Sequence, residues 1–353
     1  MNIIFFLSNL NGGGAERSTV ELANHLAYKN INVTLFVKES GVYKNEINKK
    51  VKLIIGQSNN ISHLFTAFKF FRNIRGNTIY IGIMPTQTLY AYILSLITKA
   101  KVIGYERNNV FESSKIYKWY KIKYLLLLRL IYLRVNFVFG LSKGVVLDLV
   151  NNGYALVSKS DYLYNTINIK EINILANCEN EIIIDPYIVC VGRLTKMKGV
   201  FDLLLAFSFM KNKNLKLVYI GQGEAIQELI KMCKDLKIYD RVIFKGFQVN
   251  PFPYIKNSRL LVFPSHSEGF GNVLTQALAL NSNIVSTDCK SGPSEILKKG
   301  LYGRLVEVGK PKSLCKAMEK AILEPITYNN IAALQEFDVD KITNKFIKIC
   351  NNL

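Results

Sequence analysis

Ser265-His-Ser-Glu-Gly-Phe-Gly-Asn-Val-Leu-Thr-Gln276 follows the apolar run Leu260–Phe263 and Pro264 and leads into an apolar, helix-forming segment. A strand passing through a Gly-punctuated turn into a helix builds an anion site. The helix start offers backbone N–H groups and the positive end of its dipole, and Gly269 and Gly271 let a phosphate come close to the main chain. Glu268 would stand beside that phosphate. A carboxylate there is electrostatically awkward unless it accepts hydrogen bonds from hydroxyl groups, so the pattern points to a sugar joined to a phosphate.

Outward from this stretch, short apolar runs alternate with helix-length segments, the grammar of a parallel sheet covered by helices. The second half reads as strand 187–191, helix 200–210, strand 215–220, helix 224–236, strands 242–245 and 260–263, helix 273–279 and strand 283–286. The first half reads as strand 3–7, helix 15–28, and strands 32–37, 78–83, 101–105 and 137–139. Between them, residues 165–186 turn polar and Asn-rich, which sets a boundary. The expectation is an α/β chain of two doubly wound domains, 1–165 and 166–339, with ligands at the carboxyl ends of the strands in a cleft between them. The segment 340–353, with alternating Lys and Ile, is expected to be a helix and a candidate to pack back on the first domain.

At 353 residues and 49% hydrophobic, the chain exceeds one core and has material for two. The formal net charge of +20 implies an acidic partner: nucleic acid, an anionic lipid surface or a phosphorylated substrate. Residues 1–165 carry 21 Lys+Arg against 8 Asp+Glu, a net of +13, so the excess sits in the first half. The six cysteines, all from Cys178 onward, form no Cys-x-x-Cys pair and lack a nearby His, which suits a reduced cytoplasmic setting better than zinc. Met1-Asn-Ile-Ile-Phe-Phe-Leu7 has neither a basic lead-in nor a small-residue cleavage site and reads as a first strand. The longest other apolar run, Tyr124 to Leu133, is interrupted by Arg129 and falls short of the roughly 20 residues that span a bilayer.

Other loops admit two readings each. Asn11-Gly-Gly-Gly-Ala-Glu16 opens a helix after the first strand, either as a tight connection or as backbone N–H groups for a phosphate. Gly221-Gln-Gly223 resembles the start of a dinucleotide fingerprint, but Ile226 stands where the third small residue belongs and Asp240 precedes a strand rather than ending one. Gly192-Arg-Leu-Thr-Lys-Met-Lys-Gly199 sets cations at a strand's carboxyl end, either a solvated basic loop or a diphosphate site with Arg193 as fork and Lys198 as point charge. Asp338-Val-Asp340 has the spacing of a metal pair, yet its place before the last helix favours a turn or cap. His25, His63 and His266 assemble no metal site, and only His266 lies near the suspected chemistry.

Taken together, NGGGAER (11–17), ERNN (106–109), YNTINI (164–169), VGRLTKMKG (191–199), IGQGE (220–224), SHSEGFGNVLTQALAL (265–280) and GPSEIL (292–297) resemble the GT-B glycosyltransferases, specifically the retaining family 4 (group 1) type that assembles bacterial polysaccharides and lipid-linked oligosaccharides. The resemblance covers almost the whole chain. It implies two Rossmann-like domains facing across a cleft, acceptor-binding first and donor-binding second. It implies catalytic roles for Glu268, Arg193 and Lys198, the cations holding the donor diphosphate and Glu268 the donor sugar's hydroxyls. Donor binding would also use Gly13, Gly14, Gly246, Phe247, Phe270, Gly271, Asn272, Val273 and Gln276. Glu106, Arg107 and Asn108 would line the acceptor pocket, although ERNN replaces the Thr/Ser-x-His stretch of many relatives. One departure stands out: Gln276 occupies the second acid of the E-x7-E signature, so an amide replaces the ribose-gripping carboxylate.

The implied reaction moves a hexose or N-acetylhexosamine from a nucleotide-diphosphate sugar, with a lean to uridine diphosphate, to a polyprenyl-diphosphate-linked sugar. Cations at the leaving diphosphate would supply most of the help, so neither metal nor other cofactor is expected. With no second carboxylate evident as nucleophile, same-face attack is favoured. Lys115 to Lys123 interleaves cations with aromatics, Arg129 and Arg134 continue it, and Phe65, Phe68, Phe70 and Phe71 sit among Lys69, Arg72 and Arg75. That pattern suits peripheral contact with the anionic inner face of a bacterial cytoplasmic membrane, or simply buried helices. A nucleic-acid binder would explain the charge but not two doubly wound halves with phosphate loops. A nucleotide-sugar epimerase of the same fold and a noncatalytic nucleotide-sugar binder are the remaining alternatives.

Overall fold

Every residue of Thr78-Ile-Tyr-Ile-Gly-Ile83 is buried, the signature of a central strand covered on both faces, and the computed structural model places it mid-sheet. The structure describes residues 1–353 apart from positions 12, 75, 111–120, 179–182 and 184, with backbone only at 121–123. The aromatic-basic stretch Lys115 to Lys123 therefore lies outside the described side chains, as does Arg75. Two units emerge: Met1–Thr166 with Phe337–Leu353, and Ile167–Glu336.

The first unit runs β1 (Asn2–Leu7), α1 (Gly14–Tyr28), β2 (Asn32–Val37), β3 (Lys52–Ile55), α2 (Asn60–Phe71), β4 (Thr78–Ile83), α3 (Met84–Thr98), β5 (Lys101–Glu106), α4 (Lys121–Tyr132), β6 (Phe137–Gly140), α5 (Lys143–Asn151) and β7 (Ser160–Tyr162). Its sheet has the order β3-β2-β1-β4-β5-β6-β7, every neighbouring pair parallel. Period-two alternation assigns β1 to two cores. Phe6 meets Phe36, Phe71 and Tyr80 edge-on, while Phe5 on the opposite face stacks against Phe346 of the last helix.

The second unit runs α6 (Ile169–Leu175), β8 (Tyr187–Val191), α7 (Val200–Phe209), β9 (Lys216–Ile220), α8 (Ile226–Asp235), β10 (Val242–Phe244), α9 (Phe252–Asn257), β11 (Leu260–Phe263), α10 (Asn272–Ala279), β12 (Ile284–Thr287), α11 (Pro293–Ile296), β13 (Arg304–Val306), α12 (Pro311–Leu323) and α13 (Asn330–Leu334). Its parallel sheet has the order β10-β9-β8-β11-β12-β13. A core around Leu203, Phe207, Leu217, Tyr219, Leu229, Val262 and Met318 covers one face. The strand order reverses between β8 and β11, which puts the loops after those two strands at the topological switch point, where doubly wound sheets bind ligands.

The alternation reading is right in class and incomplete at the margins. It omits β3, β7 and β13, each a sheet edge of three or four residues without a fully buried face. The polar stretch read as a boundary is not a bare linker, because it contains α6, which packs on α9 and α10 in the second unit. The final helix α14 (Val339–Asn351) belongs to the first unit, packed on α1.

Candidate functional site

After β8 the chain turns through Gly192–Thr195 into the single helical turn Lys196–Lys198, and Gly199, in the left-handed region at φ +62°, starts α7. Its partner loop after β11, Pro264–Gly271, ends in Gly271 at φ +111°, which starts α10 with no side-chain cap. Between these loops Lys198 Nζ lies 2.6 Å from Glu268 Oε1, with Glu268 largely buried and Lys198 mostly so. Ser265 Oγ donates to the same Oε1 at 2.6 Å, and Thr287 Oγ1 donates to the Ser265 carbonyl at 2.5 Å. A cation and a carboxylate side by side, beside a helix start, complement a ligand in which negative charge adjoins hydroxyl groups. The motif reading did not single out Ser265 or Thr287; a hydroxyl three residues before the Glu was the available signal.

Arg193 is exposed and forms no ion pair among the described residues. Phe270 is buried, Asn272, Val273 and Gln276 are partly exposed on the first two turns of α10, and Phe247 is exposed in the loop after β10. Gly246 accepts, at its carbonyl, the Gly221 N–H at 2.8 Å, tying that loop to the end of β9. All of these stand in the second unit with Lys198 and Glu268.

Gly221-Gln-Gly223 is explained without a dinucleotide. A Cβ on Gly221 would lie 1.9 Å from the Gly192 carbonyl oxygen, and one on Gly223 would lie 2.1 Å from that of Leu194. Leu194 N–H donates to the Gln222 carbonyl at 2.9 Å. These glycines let the backbone of residues 221–223 seat the loop that carries Arg193 and Lys198. Asp338 is likewise a cap, its carboxylate accepting from Asp340 N and Lys341 N at 3.0 and 3.1 Å.

The remaining expected residues belong to the first unit, at the carboxyl ends of β1 and β5. Gly13 starts α1 and Gly14 is exposed, but the Glu16 carboxylate folds over Gly13, where a Cβ would meet its Oε2 at 2.0 Å. That helix start therefore already has a carboxylate beside it. Glu106 and Arg107 are buried, and only Asn108 of the trio is exposed. Glu106 Oε1 accepts from Arg107 N and Asn108 N at 3.0 and 3.1 Å, and its Oε2 accepts from Tyr132 OH at 3.1 Å and Tyr124 OH at 3.5 Å. Burial pushes this carboxyl up to about 7, against those hydrogen bonds. The Arg107 guanidinium stacks 4.5 Å over the Tyr105 ring and donates to the Ala15 carbonyl at 3.0 Å and to Ser18 Oγ. A direct acceptor role for Glu106 and Arg107 thus meets a geometric obstacle: both side chains are buried inside the unit, joining β5 to α4 and to α1. Sequence alone could not register this, since ERNN reads as a polar loop.

Among the described residues no group of three or more His, Cys, Asp or Glu has metal-binding geometry, and no helix is long and apolar enough to cross a membrane.

The family model described as "Glycosyl transferases group 1" matches residues 180–334. The N-acetylgalactosamine-N,N'-diacetylbacillosaminyl-diphospho-undecaprenol 4-alpha-N-acetylgalactosaminyltransferase of Campylobacter jejuni subsp. jejuni serotype O:2 is 34% identical over 220 residues, 61% of this chain and 60% of that protein. The chain thus spans about three fifths of that relative's length. The GalNAc-alpha-(1->4)-GalNAc-alpha-(1->3)-diNAcBac-PP-undecaprenol alpha-1,4-N-acetyl-D-galactosaminyltransferase of the same organism is 24% identical over 99% of this chain and 98% of its own. Among solved structures, Anabaena Alr3699/HepE in complex with UDP-glucose superposes with a TM-score of 0.84 at 18% identity over all of both chains, a likeness of GT-B fold.

Proposed function

We propose that this chain, whose residues 180–334 match the family model of the glycosyl transferases group 1, is a retaining glycosyltransferase that moves a hexose or N-acetylhexosamine from a nucleotide-diphosphate sugar to a polyprenyl-diphosphate-linked sugar. The observation that carries the reading is the Lys198–Glu268 pair, 2.6 Å apart at the switch point of the second unit and adjoining the Gly271 helix start. Donor and acceptor classes are supported by the names of the relatives, which act on diphospho-undecaprenol sugars, and uridine diphosphate by the ligand of the structural neighbour.

In this reading the second unit holds the donor. Breaking the anomeric C–O bond leaves its electron pair on the diphosphate, and Lys198, Arg193 and the start of α10 stabilise that charge without a metal. Glu268 accepts hydrogen bonds from the sugar's hydroxyls. It has no covalent role in this reading, and its Oε1 takes Lys198 and Ser265. The acceptor hydroxyl attacks from the face the diphosphate leaves, and its proton passes to the departing phosphate oxygen, so the configuration is retained. Asn108, exposed just after β5, is the member of its trio that this reading assigns to the acceptor.

A membrane surface fits the first unit. The adjacent helices α2, α3 and α4 expose Ile61, Phe65, Phe70, Leu96, Ile97, Leu126 and Leu130, and Lys69, Arg72, Lys99, Arg129 and Arg134 lie exposed on or beside them. Exposed apolar and basic residues on neighbouring helices suit anionic headgroups, each well-placed cation contributing about 1 kcal/mol.

The test is transfer of a labelled sugar from a panel of UDP- and GDP-sugars into the lipid phase of a polyprenyl-diphosphate-sugar acceptor, with the anomer of the product read by NMR. Label entering the lipid with the donor's configuration is expected. Donor conversion without acceptor would instead indicate an epimerase, and tight donor binding without turnover a noncatalytic binder.

A further inference from the structure

Beside the Lys198–Glu268 pair itself, three contacts among the described residues fasten the Lys198 turn and the start of α7 to the Glu268 loop, and two of them are made by main chain. His266 N–H donates to the Met197 carbonyl at 2.9 Å. Gly199 presses so closely on Pro264 that a Cβ would lie 1.9 Å from its carbonyl oxygen. The third is a side-chain bond: His266 Nε2 meets Asp202 Oδ2 at 2.7 Å, from the loop after β11 to the first turn of α7. These fastenings flank Lys198 on both sides, at Met197 and Gly199 with Asp202 one turn on, and meet the Glu268 loop at Pro264 and His266, both shortly before Glu268. The pair is partly exposed, its side chains 36% and 24% accessible, so it does not serve to fill the core.

We propose that Asp202 and His266 are positioning residues for donor chemistry, setting the separation of Lys198 and Glu268; the proposal rests on reading that ion pair as the donor site. The physical reason is leverage. Lys198 has a flexible stem and holds a phosphate as a point charge, so its aim depends on the turn beneath it. Misplacing a reacting group by about 1 Å costs on the order of a hundredfold. The side-chain bond is also the fastening that a substitution can remove without altering the backbone.

The experiment is a double-mutant cycle on the full chain, comparing His266→Ala, Asp202→Ala, His266→Gln and Lys198→Ala with the combined Lys198→Ala/His266→Ala variant. His266→Ala and Asp202→Ala are each expected to lower kcat by about ten- to a hundredfold, with little change in KM or Tm. His266→Gln, which keeps an N–H donor near the Nε2 position, is expected to return to within about threefold of wild type. In the Lys198→Ala background, removing His266 is expected to change nothing further. Independent, multiplying losses in the cycle, or a glutamine variant as impaired as the alanine one, would overturn the proposal. If wild type turns over no donor, the functional reading fails by itself and hydrogen exchange of the free protein decides the fastening. Faster exchange at the His266 amide and at residues 198–199 in His266→Ala, but not in His266→Gln, would support it, and unchanged exchange would overturn it.

Discussion

A buried carboxylate raised to about 7 makes Glu106 a source of pH-dependent stability. Its ordinary value is 4.5, so between about 4.5 and 7 the folded protein keeps a proton that the unfolded chain releases. That contribution is complete below the unfolded value and is lost as pH rises through the folded one. The shift corresponds to at most about 3 kcal/mol. Urea unfolding across this range should show wild type losing stability relative to Glu106→Gln as pH rises, and parallel curves would contradict the burial argument. At this scale the sequence disclosed what local chemistry decides. Glu268, Lys198 and the glycines around them announce an anion site because turn, cation and acid lie within one short motif each. Glu106 was legible as a polar loop residue but not as a buried one, because its environment comes from Tyr124 and Tyr132, distant in sequence.

Among the elements, the junction of the Lys196–Lys198 turn with α7 is the most constrained. Gly199 combines φ +62° with contact against the Pro264 carbonyl, so any side chain there must move backbone. Gly199→Ala is expected to cost about 2–4 kcal/mol and to impair donor chemistry with it, since the displaced loop carries Glu268. Gly153→Ala, at φ +69° with nothing within 4 Å, should cost only about 1 kcal/mol. Thermal unfolding of both variants checks the ordering, and equal losses would mean that conformational strain rather than the Pro264 contact decides. Central strands were legible from their continuous apolar runs, as in Thr78–Ile83. The edge strands β3, β7 and β13 were not, since they lack a fully buried face and read as loop, whereas β10, also at an edge, was read from its apolar run.

For the whole molecule, the chain enters the second unit at Ile167 and returns to the first at Phe337, so the last helix completes the core begun by the first strand. Phe346, fully buried, stacks between Phe5 at 6.1 Å and Phe139 at 5.9 Å, and Lys345 pairs with Asp161 at 2.9 Å. Phe346→Ala should destabilise the first unit by about 3–5 kcal/mol, while the exposed Lys348→Ala should cost less than about 0.5 kcal/mol. Chemical denaturation read by hydrogen exchange within residues 1–166 distinguishes them. The basic excess of the first half, a net of +13, belongs to this scale as well. It should make binding to phosphatidylglycerol vesicles fall steeply with salt, whereas binding to neutral vesicles of equal strength would mean that charge plays no part. The most direct test of the account is the rate of nucleotide-diphosphate release from a UDP-sugar, with and without a lipid-diphosphate sugar acceptor, in wild type, Lys198→Ala and Glu268→Ala. The account predicts release that requires the acceptor and falls about 100- to 1,000-fold in each variant; acceptor-dependent release undiminished in both would contradict it.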